Sequence, residues 1–163
     1  MIQPLRDIFD RDIFPGGVDF VPRFHTIALG VVGPIPANGP FVVLITCPFT
    51  KVRPDTFLMA WAAHTPQMTI PAGGGVQQTI ATRWAIDGIF LASGEGTMTF
   101  RNDIAAGPGP SNVSAVGMSP IMPKQGGVTV GAHSVSLEWL FGSGDPTMTA
   151  SNESPSIVVC ETL

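Results

Sequence analysis

Apolar side chains fall on every second residue along Val135, Leu137, Trp139 and Phe141, with Ser134, Ser136 and Glu138 between them. A period of two is the mark of a strand with one face in a core and the other in water. Gly131 marks the turn into this strand, and the Gly142-Ser-Gly-Asp-Pro146 cluster marks the turn out. Short strand patterns at Thr147–Ala150 and Ser156–Glu161 follow, so the chain closes almost on its last strand. Upstream, the same alternation and the density of β-branched and aromatic residues predict strands at Phe24–Val32, Phe41–Cys47, Phe57–Ala63, Val76–Trp84, Ile86–Leu91, Thr97–Arg101, Val113–Met118 and Val128–Val130. Gly33–Pro40, Pro71–Gly75, Gly107–Pro110 and Pro120–Gly127 read as the turns between them, and Asp87-Gly88 as a tight hairpin.

Such a series of short strands predicts an all-β fold, a jelly-roll-like antiparallel β-sandwich over residues 24–163. Two of the strands break the one-sided rule. Phe41-Val-Val-Leu-Ile45 and Phe57-Leu-Met-Ala-Trp-Ala-Ala63 are apolar on both faces. In an antiparallel sandwich the outward face is normally polar, so something must cover these strands. The reading here is a neighbouring subunit in a ring of three, with Phe41, Val43, Phe57, Met59 and Trp61 at the contact.

Composition supports the fold class. Of 163 residues, 19 are Gly and 16 Pro, while 44% are hydrophobic, a balance that fits many short strands and tight turns rather than disorder. Charge is more informative by its distribution than by its total. Residues 1–23 hold Arg6, Asp7, Asp10, Arg11, Asp12, Asp19 and Arg23, leaving thirteen of the twenty charges for the other 140 residues. A body this poor in charge suggests a surface covered by copies of itself or by a larger assembly. The net charge of −4 and the absence of any basic run argue against a nucleic-acid partner. The longest apolar runs are strand-length, which argues against a membrane helix. Met1-Ile-Gln-Pro-Leu-Arg-Asp7 lacks the basic-then-apolar order of a signal peptide.

Residues 1–23 read as an N-terminal arm. They repeat Arg6-Asp7-Ile8-Phe9 as Arg11-Asp12-Ile13-Phe14, an offset of five that puts the two Ile-Phe pairs on different faces of any single helix or strand. Two anchors on a bent arm fit this, with Pro15-Gly-Gly17 and Pro22 as the hinge. The competing reading is one helical turn packed on the body through Ile2, Leu5, Ile8 and Phe9.

Catalytic signatures are missing. His25, His64 and His133 have no ligand-spaced neighbours, so no metal is read, and His133 is assigned to a hydrogen bond that fixes its turn. There is no nucleophile elbow, and Gly73–Gly75 lacks the rest of a phosphate loop. No cofactor is implied, and the chain is read as a non-enzyme. Cys47 and Cys160 both fall in predicted strands, where a buried free thiol is common; a single bridge between them is the alternative.

Ala81-Thr-Arg-Trp-Ala-Ile-Asp-Gly88, Val128–Trp139 with its His-x-Val-x-Leu-x-Trp core, and Ser156-Ile-Val-Val-Cys-Glu161 together resemble trimeric, tumour-necrosis-factor-like jelly-roll domains of phage capsid decoration and fibre proteins. The resemblance covers about half the chain. It departs at the end, where Thr162 separates Glu161 from Leu163. It implies a homotrimer and carries over no catalytic residue. The expectation is a capsid decoration (cement) protein of a tailed phage on the capsid exterior. Its partners would be its own copies and the major capsid protein, with no nucleic acid and no membrane. Arg6, Asp7, Ile8, Phe9, Arg11, Asp12, Ile13 and Phe14 would make the capsid-binding arm. The alternative is the trimeric tip or collar of a phage fibre, binding a host-surface receptor.

Overall fold

A computed structural model describes residues 22–70, 77–91, 96–101, 111–114 and 121–163. The expected arm therefore lies outside the described residues up to Val21, and the first strand begins at Arg23. The described chain forms eleven strands and no helix: β1 Arg23–Ala28, β2 Val32–Pro36, β3 Val42–Lys51, β4 Phe57–Ile70, β5 Gln77–Ile86, β6 Ile89–Phe90, β7 Gly96–Arg101, β8 Ser111–Ser114, β9 Ile121–Gln125, β10 Gly131–Ser143 and β11 Thr149–Thr162.

They pair, antiparallel throughout, into two sheets. The first runs β1-β11-β4-β8, with β2 also on β11 and β9 also on β4; the second runs β3-β10-β5-β6, with β7 also on β5. β1 with β2, β6 with β7 and β8 with β9 each share one partner strand, so three positions in the fold are split strands. Followed in chain order, the positions alternate between the sheets except at β5 to β6. That is the double-sheet arrangement of an eight-position jelly roll, as the sequence predicted.

The core lies between the sheets. Val135, Leu137, Trp139 and Phe141 from β10 and Ile80, Trp84 and Ile86 from β5 meet Leu58, Ala60, Ala62 and Met68 from β4 and Ile157 and Val159 from β11. Trp139 spans the gap: its ring meets His64 of β4 edge-on, centroids 5.8 Å apart. Trp84 and Trp139 are wholly buried, as the alternating pattern requires.

Several boundaries differ from the sequence reading, each for a local reason. Gly33–Pro40 contains β2 rather than only a turn. Its Pro34 and Pro36 are tolerated because β2 pairs with β11 alone, at the sheet margin. Gly33 is required there, since a Cβ would sit 2.9 Å from Ser151 Cα at a φ of +136°. Pro120–Gly127 likewise contains β9. Conversely, Val128–Val130 is not a strand. The Val128 and Thr129 carbonyls are taken by the Lys51 and His133 side chains instead of by a ladder. β4 runs on through Pro66, which falls between its stretch on β9, ending at Trp61, and its stretch on β8, starting at Gln67. The two short strands predicted near the C-terminus are one, β11, bulged between Glu153 and Ser156 with Ser154 at a φ of +49°.

The Phe41–Ile45 run is also only partly two-faced. A register shift opposite Leu137 and Glu138 sends the consecutive Leu44 and Ile45 both inward. Phe41 and Val43 remain outside.

Trp139→Ala and Trp84→Ala should each cost about 3–5 kcal/mol, read as a lower urea midpoint. Trp→Phe should cost much less, because neither indole Nε1 has a hydrogen-bond partner among the described residues. A wild-type midpoint in either alanine variant would show that the ring does not anchor the core.

Candidate interaction faces

Residues paired across an antiparallel sheet project to the same side. On the outward side of the first sheet, Phe24, Cys160 and Met59 form one row, and Thr26, Val158, Trp61 and Ile121 the next. Phe24 is 60% exposed, Trp61 38% and Ile121 66%. The Phe24 and Trp61 rings meet edge-on across β11 at 6.3 Å. Phe57 extends the patch under the ammonium of Lys124, which lies 3.8 Å from the ring centre. Large apolar groups on adjacent strands thus form an exposed patch with no cover among the described residues.

The outward side of the second sheet is built differently. Val43, Glu138 and Arg83 lie in one row across β3, β10 and β5. Arg83 Nε donates to Glu138 Oε2 at 2.6 Å, and its guanidinium lies 4.1 Å from the Phe41 ring centre and 5.0 Å from that of Phe90. The charge is thus neutralised by one carboxylate and flanked by two aromatic rings.

The five residues predicted at a subunit contact are therefore split. Phe57, Met59 and Trp61 share the first face, while Phe41 and Val43 lie on the opposite side of the sandwich. The structure does not bring the two sets into one patch. Sequence reasoning missed Phe24 and Ile121. Phe24 opens a predicted strand, but only its register against Trp61 gives it a role, and Ile121 lay hidden in a Pro- and Gly-rich segment. Arg6, Asp7, Ile8, Phe9, Arg11, Asp12, Ile13 and Phe14 lie outside the described residues.

At one end of the sandwich the Asp87-Gly88 turn closes the β5–β6 hairpin with both residues at positive φ, 50° and 77°, the geometry this dipeptide favours. Asp87 Oδ1 accepts from the Ser134 amide at 2.8 Å and Oδ2 lies 2.6 Å from His133 Nδ1. His133 lies in β10 rather than in a turn of its own, and it holds the Asp87-Gly88 turn on one side and the Thr129 carbonyl on the other. An open cleft of about 340 Å³ lies beside it, between the hairpin and residues 125–129. Its lining is mostly apolar, and among the described residues no three His, Cys, Asp or Glu side chains stand close enough to hold a metal ion. Cys47 and Cys160 are free and buried, and burial pushes both thiols up.

No protein-family profile and no curated protein sequence matches the chain. Among solved structures, similarity extends to the infectious bursal disease virus VP2 subviral particle at 14% identity and a TM-score of 0.36, over 85% of this chain and 32% of that one. It extends to latent PorU from Porphyromonas gingivalis at 9% identity and a TM-score of 0.36, over 87% of this chain and 13% of that one. Desmodium yellow mottle tymovirus aligns at 11% identity and a TM-score of 0.28, over 93% and 95%. The chain spans at most about a third of the length of the first two. At these scores the likenesses establish neither family nor function.

Adjacent residues on β9 test the assignment of faces. At concentrations where the chain is monomeric, Ile121→Ala should change stability by no more than about 0.5 kcal/mol, whereas Met122→Ala, on the wholly buried side, should cost about 2–5 kcal/mol. Equal costs in chemical denaturation would mean that the β9 register is wrong.

Proposed function

We propose that this chain is a non-catalytic structural protein of a virus particle, a homotrimeric capsid decoration protein of a tailed phage. The observation that carries the reading is the apolar face Phe24-Met59-Trp61-Ile121, without cover among the described residues, on a body with thirteen charges in 140 residues. Fully burying one large apolar side chain is worth roughly 1.5–3 kcal/mol, so such a face favours self-association. The jelly roll is a recurrent shell-associated architecture, and this part of the reading is an analogy at the level of fold. In this reading copies meet through the first-sheet face, with Phe57, Met59 and Trp61 at the contact. The arm, with Ile8, Phe9, Ile13 and Phe14 as anchors and Arg6, Asp7, Arg11 and Asp12 around them, engages the major capsid protein on the shell exterior. A protein that binds only the assembled shell stabilises it by mass action.

Light scattering should give a mass three times that of the 17.1 kDa chain, and Trp61→Asp should reduce it to one while the variant still unfolds in a single cooperative transition, at the lower midpoint that loss of subunit binding implies. A clean wild-type monomer at micromolar concentration would remove the trimer. Deletion of residues 1–16 should leave the melt almost unchanged and abolish occupancy on capsids. Retained occupancy would move the binding site to the sandwich, and binding to host cells instead of capsids would favour a receptor-binding tip.

A further inference from the structure

The segment from Gln125 to Val130 is strapped to the sandwich by two side chains. Lys51, wholly buried, donates through Nζ to the Val128 carbonyl at 2.7 Å and to the Pro54 carbonyl at 3.5 Å. His133 Nε2 lies 2.9 Å from the Thr129 carbonyl, while Nδ1 faces the Asp87 carboxylate at 2.6 Å. A carbonyl and a carboxylate only accept, so both contacts are hydrogen bonds only when both ring nitrogens carry protons. A neutral imidazole has one N–H; with it on Nδ1 toward Asp87, Nε2 sets a lone pair against the Thr129 carbonyl and is left only the Thr129 hydroxyl, 3.5 Å away, as a donor. Lys51 keeps its grip in either state. His133 does not.

We propose that His133 is a proton-operated clasp: as imidazolium it ties the strap at Thr129 to the Asp87-Gly88 hairpin, and loss of the proton frees the strap at Thr129 and Val130 while Lys51 still holds it at Val128. Thr129 lines the same cleft as Ile86, Ile89 and Leu91, so its movement reshapes that cleft's rim. Gly126 and Gly127 give the strap its freedom to move, with Gly127 at a φ of +77° that other residues rarely adopt.

The groups around the ring set the direction of the effect. Asp87, on the β5–β6 turn, is foremost in raising the His133 pKa above its ordinary 6.5; partial burial opposes it, the Thr129 carbonyl adds to it, and the charge of Lys51 on β3 opposes it. Phe49 of β3 faces the ring at 5.7 Å, with His25 of β1 on Phe49 in turn at 6.0 Å. On β10 itself, Ser134 gives its amide to Asp87. Asp87 is held below its ordinary 3.8, chiefly by His133. The histidine's contribution is therefore complete below pH 6.5 and lost as pH rises through the raised value. The aspartate's is complete above pH 3.8 and lost as pH falls through the lowered one. The clasp is fully closed between those two limits.

Methyl order parameters of Thr129 and Val130 in the full chain test this between pH 5.5 and 9, with His133→Gln compared at each pH. Wild type should be the more ordered below pH 6.5, and the difference should fall away as pH rises through the His133 pKa. Asp87→Asn should move that loss to lower pH, which a merely structural role would not do. It carries the test by itself where His133→Gln fails to fold. Parallel wild-type and His133→Gln profiles, or an unmoved transition in Asp87→Asn, would overturn the clasp.

Discussion

The fold depends on one constraint: β10 and β11, consecutive in the chain, are central strands of opposite sheets. β10 pairs with β3 and β5, and β11 with β1, β2 and β4. The link between them must carry the chain from one layer to the other, and it is closely pinned. Asp145 Oδ1 accepts from the Thr147 amide at 2.9 Å and its hydroxyl at 2.7 Å. Asn38, from the far side of β2, exchanges hydrogen bonds with the Ser143 backbone at 2.9 and 3.2 Å. Once this crossing is set, the inward residues of both central strands face each other and the remaining strands add at their flanks.

A second constraint operates at the far end of β11. Glu161 is almost wholly buried and accepts from the Thr56 hydroxyl at 2.5 Å and from the amides of Arg53 at 3.2 Å and Val52 at 3.4 Å. These donors belong to the β3–β4 connection, so the carboxylate ties the end of the first sheet to the end of the second sheet's marginal strand. Lys51 is buried close by in the chain but is held by carbonyls. Each charge has its own polar partners, as buried charge requires, and removing those partners would leave it uncompensated in a poorly solvating site.

How much of this was legible follows from where packing obeys local pattern. The β10 alternation, the Asp87-Gly88 hairpin and the two core tryptophans were readable because each depends on sequence neighbours; the Asp87 partner of His133 was not, because it lies 46 residues away. β2 and β9 were not, because Pro34, Pro36 and Pro120 read as turn formers, and only a place at a sheet margin or beside a gap makes such segments strands. The Leu44-Ile45 bulge was invisible because it is set by register against β10. That register also decides that Phe41 and Val43 face away from Phe57, Met59 and Trp61. Strand pattern tells which residues point out; only the layering tells which way out is.

The two outward faces then differ in kind. The first offers aromatic and aliphatic surface with Lys124 lying over Phe57; on the second, Arg83 is matched to Glu138 and flanked by rings. Neither presents a field that reaches far into solvent, since a matched pair largely cancels beyond its own dimensions and a lone exposed charge is screened within about 8–10 Å at ordinary salt. In the proposed assembly, association through the body would therefore be governed by the burial of apolar area, with weak dependence on ionic strength. The segment from Met1 to Arg23 is the reverse case, with seven charges in 23 residues, and contacts made through them govern encounter rate and register more than affinity. In the proposed assembly salt would consequently separate the two kinds of contact, weakening those of the N-terminal segment first and leaving those of the sandwich nearly unchanged.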